Sequence, residues 1–425
     1  MHLTVYPTFE FFFPMFSLRG LLNLLSLPIR LLWVTIQYFN GSVPFRKYKN
    51  DLISCYKMTF FIAFLTMNFG DYKYIPALSN AYIINKILPG RFKIRKETLP
   101  GYGARYDANS IWLVKQPHRK PTDPIMIYIH GGAYLLQTVP TQPASIVAVY
   151  KLLDKDVQSK LSILFLDYKL TSKGFKIPHQ MGQLHETYTK LVSEGNKNLF
   201  LCGDSAGGNL AVGYTQYLDK VASRHILRPK SLILISPWLD MSPGDENWKP
   251  SRSYYQNYKY DMIKFHSFKG DKFKDSFACE KNDILYCPGK DPIKKEDWDI
   301  ECYTDSDHSV FLICGEDESF RDEDLKWAEK VLDVPSYSSV KYGYSTGNFD
   351  PEIHHFHRIS DVNHCLAEVY VEPWGIHEAS VLMETEILFT INSIESEGGK
   401  LSFRDVSDKH FGIVRIAKFL NDIIE

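Results

Sequence analysis

Ser205 stands in the string Gly203-Asp204-Ser205-Ala206-Gly207, which reads G-x-S-x-G. That pattern marks a sharp turn from a strand into a helix, with the serine lifted clear of the sheet. Small flanking residues are required because a side chain at either glycine would collide with the tight backbone. Upstream, His130-Gly131-Gly132-Ala133 closes the apolar run Asp123-Pro-Ile-Met-Ile-Tyr-Ile. Glycines there allow backbone N–H groups to point at a developing oxyanion. A nucleophile and a trap for the negative charge it creates are the parts of an acyl-transfer site. We expect Gly131, Gly132 and Ala206 to supply the N–H donors. His130 and Ala133 are expected to shape the loop, and Gly203, Asp204 and Gly207 the turn.

A serine hydroxyl attacks only when a base takes its proton, and the imidazole that does so needs an acid to orient it. Six histidines follow residue 350. His377 is the best placed, because Cys365–Gly375 reads as a strand ending in a turn and a helix begins at Glu378. The strand Ser309–Cys314 is followed by Gly315-Glu316-Asp317-Glu318-Ser319-Phe320-Arg321-Asp322. One carboxylate of this stretch is expected to face His377 and the others water. Glu318 is favoured, then Asp317.

These residues need a frame. Apolar strands at 125–130, 162–167, 198–202, 231–235 and 309–314 alternate with helical stretches at 142–154, 183–195 and 209–221. Strands separated by helices predict an α/β fold with a mostly parallel, doubly wound sheet and helices on both faces. Ligands of such sheets bind at the carboxyl ends of the strands, where His130 and Ser205 fall. Residues 239–306 break the rhythm and read as an insertion near the site. Residues 333–361 read as a second one. His354, His355 and His357 there are expected to be solvated loop residues, so no metal is expected. The chain is expected to divide into an N-terminal anchor and helical neck, 1–95, and a catalytic domain, 96–425.

The chain has 425 residues, 44% of them apolar, and a net charge of −1 without a basic stripe, which argues against nucleic-acid binding. Seven cysteines lack a C-x-x-C pair. Cys279, Cys287 and Cys302 are close enough in sequence for one disulfide, or are free buried thiols. From Thr8 to Phe39 the chain is dominated by apolar residues, and Gly20–Phe39 is about one bilayer crossing long. Arg30 and Pro28 lie inside it. A charge at that depth costs about 2.5–3.5 kcal/mol, so the segment spans with snorkelling or lies in the interface. A retained anchor is expected, since no small-residue cleavage site follows. Met58–Phe69 is too short to span. Arg46, Lys47 and Lys49 after the run would leave the remainder in the cytosol by the positive-inside rule.

With these motifs the chain resembles the hormone-sensitive-lipase-like (GDXG) branch of the α/β-hydrolases, and within it the fungal sterol-deacetylating esterases. The family's H-G-G-G stands here as His130-Gly-Gly-Ala133, and its Tyr-Arg-Leu as Tyr168-Lys169-Leu170, with Pro178 downstream. Its Asp-Pro-Leu-Arg-Asp acid loop stands as Glu318-Ser319-Phe320-Arg321-Asp322. The resemblance implies the α/β-hydrolase fold, a serine esterase without a cofactor, and a small apolar ester substrate such as an acetylated sterol. It also implies an endoplasmic-reticulum membrane protein crossing once, with a lumenal catalytic domain. That location conflicts with the charge rule, which Arg19 and Arg30 blur, so the resemblance is followed. Alternatives are a lipase, arylesterase or arylformamidase on the same triad, and an inactive hydrolase fold used for binding.

Overall fold

The computed structural model describes residues 16–222, 226–280, 282–336, 342 and 345–424. The apolar start at Thr8–Met15 and part of the 333–361 segment lie outside the described residues.

Nine strands form one sheet: β1 Arg105–Asp107, β2 Ser110–Val114, β3 Ile125–Ile129, β4 Ser162–Leu166, β5 Leu199–Asp204, β6 Ser231–Ile235, β7 Ser309–Gly315, β8 His355–Arg358 and β9 Leu366–Glu372. Their spatial order is β1-β2-β4-β3-β5-β6-β7-β9-β8. The six strands from β4 to β9 in that order run parallel. The two added at one edge and the one at the other are antiparallel. Every residue of β2 to β7 is buried. Strands covered on both faces read as continuous apolar runs, which is why these were visible in the sequence.

The longer helices are α1 Leu18–Phe39, α2 Leu52–Leu65, α3 Thr141–Leu152, α4 His179–Ser193, α5 Ala206–Lys220, α6 Arg321–Val331 and α7 Phe411–Ile423. α3 packs on α7, and α4 packs on α5. This is the α/β-hydrolase arrangement. α5 starts at Ala206 rather than at residue 209, because the serine turn passes directly into the helix.

One expectation is corrected, and the choice left open at the cysteines is decided. The histidines near residue 355 do not lie in a solvated loop. His354 is buried, and His355–Arg358 pairs with β9 as an edge strand, with His355 Nε2 2.5 Å from Glu368. Residues 239–306, between β6 and β7, hold only short helices, and Met262, Ile263 and Phe268 of this segment line the cleft at Ser205. Phe265, Phe268 and Phe273 are buried, and Phe268 and Phe273 meet Trp238 edge to face. Cys279, Cys287 and Cys302 are free thiols, Cys287 accepting the Met241 N–H and Cys302 facing the Pro229 carbonyl.

α1 packs along α2 but leaves Leu18, Leu22, Leu25, Ile29 and Trp33 exposed. It is long and apolar enough to cross a membrane by length and composition. Arg30, inside it, is satisfied within the helix by Asn23 Oδ1 at 2.9 Å and Ser26 Oγ at 3.0 Å.

Candidate active site

β5 ends at Asp204 and α5 begins at Ala206, which leaves Ser205 alone at the corner with φ 47° and ψ −113°. A positive φ in a residue with a Cβ is strained and is held by its surroundings. Ser205 N–H donates to Ile235 O at 2.9 Å, and its carbonyl accepts from Trp238 N–H at 2.9 Å. A Cβ at Gly207 would overlap the Ile129 carbonyl, and one at Gly203 would overlap the Gly207 backbone. β3 and α5 therefore meet only through glycine.

Ser205, His377 and Glu318 form one hydrogen-bonded row. Ser205 Oγ is 3.0 Å from His377 Nε2, and His377 Nδ1 is 2.7 Å from Glu318 Oε1. The three come from the ends of β5, β9 and β7. All are buried, Ser205 being 6% exposed at the base of a cleft. Glu318 Oε2 accepts from Ser236 Oγ and from Gly315 N–H, both at 2.8 Å. A carboxylate held by two donors on one oxygen presents the other to the imidazole in one orientation.

Of the two candidate acids, Glu318 is the one whose carboxylate reaches His377. Asp317 turns away from His377 and pairs with the Arg46 guanidinium, its Oδ2 2.9 Å from Nε. The remaining carboxylates do not face water either. Glu316 is buried; against that burial, His354, Ser345 and the Trp374 N–H hold its pKa down to about 2. Asp322 is buried and accepts the Ser253 N–H at 2.9 Å.

The expected oxyanion donors need revision as well. Gly131 N–H is donated to Asp204 Oδ2 at 2.9 Å, so it is not free for a ligand. Among the described residues, the N–H groups of Gly132, Ala133 and Ala206 carry no acceptor. Ala133 has φ 55°, and it lines the cleft with Gly132 and Ser205. Ala206 N–H lies at the N-terminus of α5, where the helix dipole favours negative charge. His130 is buried and stacked 4.3 Å from the Tyr168 ring, with Nδ1 2.7 Å from Gly131 O. Burial holds its pKa below the ordinary range.

Two supporting residues were not anticipated. Ser236, in the turn after β6, bonds Glu318 and also accepts the Glu378 N–H at 3.1 Å. Asp261, far from both in sequence, accepts the His377 N–H at 3.0 Å and the Ser319 N–H at 2.8 Å. It thus ties the histidine loop to the acid loop. Burial pushes the Asp261 carboxyl up to about 6, with Glu318 adding to it, against the pull of His377. The Ser-Pro-Trp that closes β6 was a visible signal for Ser236; nothing local marked Asp261.

The cleft above Ser205 is mostly apolar. Phe61 and Leu65 of α2 face Leu136, Ile263, Phe268 and Leu382 across it. The neck is therefore a wall of the site. Phe320 sets its ring edge on the His377 imidazole, with centroids 4.8 Å apart.

Comparisons with known proteins identify the family. The steryl acetyl hydrolase family model matches residues 101–348. The Schizosaccharomyces pombe protein mug81, provisionally named a steryl acetyl hydrolase, is 30% identical over 342 residues, covering 76% of this chain and 86% of that protein. Steryl acetyl hydrolase 1 of Saccharomyces cerevisiae is 33% identical over 156 residues, covering 36% of this chain and 35% of its own length. A solved esterase of the bacterial hormone-sensitive lipase family aligns over 87% of this chain and 98% of that one, with TM-score 0.49 and 14% identity. The chain belongs to the steryl acetyl hydrolase family and is a carboxylic ester hydrolase.

Proposed function

We propose that this protein deacetylates acetylated sterols, or closely similar acetate esters of bulky apolar alcohols, through Ser205, His377 and Glu318. Ser205 Oγ attacks the acetyl carbonyl while His377 Nε2 takes its proton. The tetrahedral oxyanion is held by the N–H groups of Gly132, Ala133 and Ala206, each such donor being worth about 10²–10³ in rate. His377 then returns the proton to the departing sterol oxygen, and the acetyl-enzyme forms. Water activated by the same imidazole releases acetate. Glu318 keeps Nδ1 protonated and steadies the imidazolium.

The observation that carries this reading is the row Ser205–His377–Glu318 at the base of an apolar cleft, beside unpaired backbone N–H groups. The names of the fungal relatives support the choice of substrate. A relative named triacylglycerol lipase, from Mycobacterium tuberculosis, is 30% identical over 156 residues, so acylglycerols are the competing substrate class.

The protein is anchored in the endoplasmic-reticulum membrane through the exposed apolar face of α1, with the catalytic domain on the lumenal side. That position gives an ester dissolved in the bilayer a short path past α2 to Ser205.

The test uses the full-length chain and Ser205→Ala, each offered a serine-directed fluorophosphonate and an acetylated sterol. Labelling and release of free sterol, both lost in the variant, support the proposal. Labelling with release only from acylglycerols or aryl esters rejects the sterol. Absence of labelling rejects the nucleophile.

A further inference from the structure

Glu378 is a buried acid that the row of Ser205, His377 and Glu318 does not use. It follows His377 directly and has φ 55°, ψ 28°. This left-handed turn carries its side chain past the imidazole toward Asp204. A Cβ on Gly131 would overlap both Glu378 Oε1 and Asp204 Oδ2, so the two carboxyls crowd the same side of the H-G-G-A turn. Two acids crowded together and shielded from water carry one negative charge between them, not two.

The donors decide where the charge sits. Asp204 accepts from Tyr128 Oη at 2.6 Å, Gln142 Nε2 at 2.6 Å and Gly131 N–H at 2.9 Å. Glu378 Oε1 has no donor among the described residues and stands 3.8 Å from His377 Nε2. The ionised acid is therefore Asp204, and the proton is on Glu378. The groups facing Glu378 are Asp204 and Tyr128 from the sheet, Tyr168 after β4, and Glu318, Asp261 and His377. Burial, then the Asp204 charge, push the Glu378 carboxyl well above the ordinary range, with Glu318 and Asp261 adding to the effect.

We propose that Glu378 is a positioning residue for the ester hydrolysis described above, donating as a neutral acid to Asp204 and so holding the Gly131–Ala133 turn beside Ser205. The chain of bonds runs from the Glu378 carboxyl to Asp204 and from Asp204 to Gly131 N–H. Loss of the Glu378 proton sets two carboxylates against each other, and the turn that presents the Gly132 and Ala133 N–H groups loses its anchor. The inference rests on Ser205 acting as the nucleophile.

The experiment measures kcat and KM of the full-length chain on p-nitrophenyl acetate from neutral to alkaline pH. Wild type is compared with Glu378→Gln and Glu378→Ala, with fluorophosphonate labelling and thermal melting alongside. In wild type, kcat falls on an alkaline limb as Glu378 ionises. Glu378→Gln still donates to Asp204 but cannot ionise, so it keeps kcat within about 10-fold at neutral pH and loses the limb. Glu378→Ala loses about 10²-fold in kcat with little change in KM. Lys264 also loses its proton at alkaline pH, since burial holds it down to about 8; Lys264→Met is expected to keep the limb. A Glu378→Gln profile that retains the wild-type limb overturns the assignment, as does a folded Glu378→Ala with unchanged kcat. Should Glu378→Ala fail to fold, the Glu378→Gln profile decides alone. A wild type that takes no label overturns the nucleophile and this inference with it, whereas a labelled wild type with an unchanged Glu378→Gln limb overturns only Glu378.

Discussion

Arg46 lays its guanidinium against the carboxylate of Asp317, the residue immediately before Glu318. Arg46 belongs to the neck after α1, and its guanidinium also stands 4.7 Å from the Tyr260 ring. Lys47 pairs in the same way with Glu372 at the end of β9. The segment leading out of the apolar helix is thus pinned to the two loops that carry Glu318 and His377. Asp317 is buried and Arg46 half-buried, so removing Arg46 leaves an uncompensated buried charge. Arg46→Met is expected to destabilise the fold by roughly 3 kcal/mol. kcat is expected to stay within about 10-fold of wild type, because Ser236 and Gly315 still hold Glu318. Chemical denaturation and steady-state kinetics of the one variant check both.

The two acids at 317 and 318 give opposite signatures. Glu318→Gln leaves the shape of the row but removes the charge that fixes the His377 tautomer. A loss of about 10⁴ in kcat is expected, with little change in melting temperature. Asp317→Asn breaks the Arg46 pair, so melting falls while kcat stays within about 10-fold of wild type. The reverse pattern would make Asp317 the triad acid.

The α2 wall bounds the space above Ser205. Phe61 and Leu65 line the cleft opposite Leu382 and Phe268. Leu65→Trp fills that space. kcat/KM for an acetylated sterol is expected to drop by roughly 10-fold or more, while p-nitrophenyl acetate, which occupies less of the cleft, changes less. Equal losses on both substrates would show that the sterol does not lie along α2.

His308 gives the fold a defined acid sensitivity. It is buried beside the start of β7, and burial, followed by the Lys230 charge, holds its imidazole down to about 4 against Asp305 and Asp307. Unfolded, it takes up a proton near pH ~6.5. Between those values the unfolded chain binds more protons, so stability falls as pH drops, by up to roughly 3 kcal/mol in all. His308→Gln is expected to flatten the dependence of unfolding free energy on pH in that window. Denaturant titrations at several pH values check the slope.

The sequence by itself determined the parts of this molecule whose geometry is local. A glycine on either side of Ser205 and two after His130 were legible because the backbone contacts that demand them lie within a strand and its turn. The buried parallel strands were legible because a strand covered on both faces has to be apolar throughout. His377 was legible by its position just beyond a strand and its turn. Partners supplied from distant parts of the chain were not. Glu318 rather than Asp317 faces the imidazole because Arg46 holds Asp317 away and Ser236 and Gly315 grip Glu318. Gly131 is withdrawn from the oxyanion because Asp204 takes its N–H. Asp261 and Glu378 entered the site through buried contacts that no local pattern records. His355–Arg358 became an edge strand because β9 offered it unpaired backbone. In each case the residue type permitted several partners, and only the folded packing, by excluding water and setting distance, selected one.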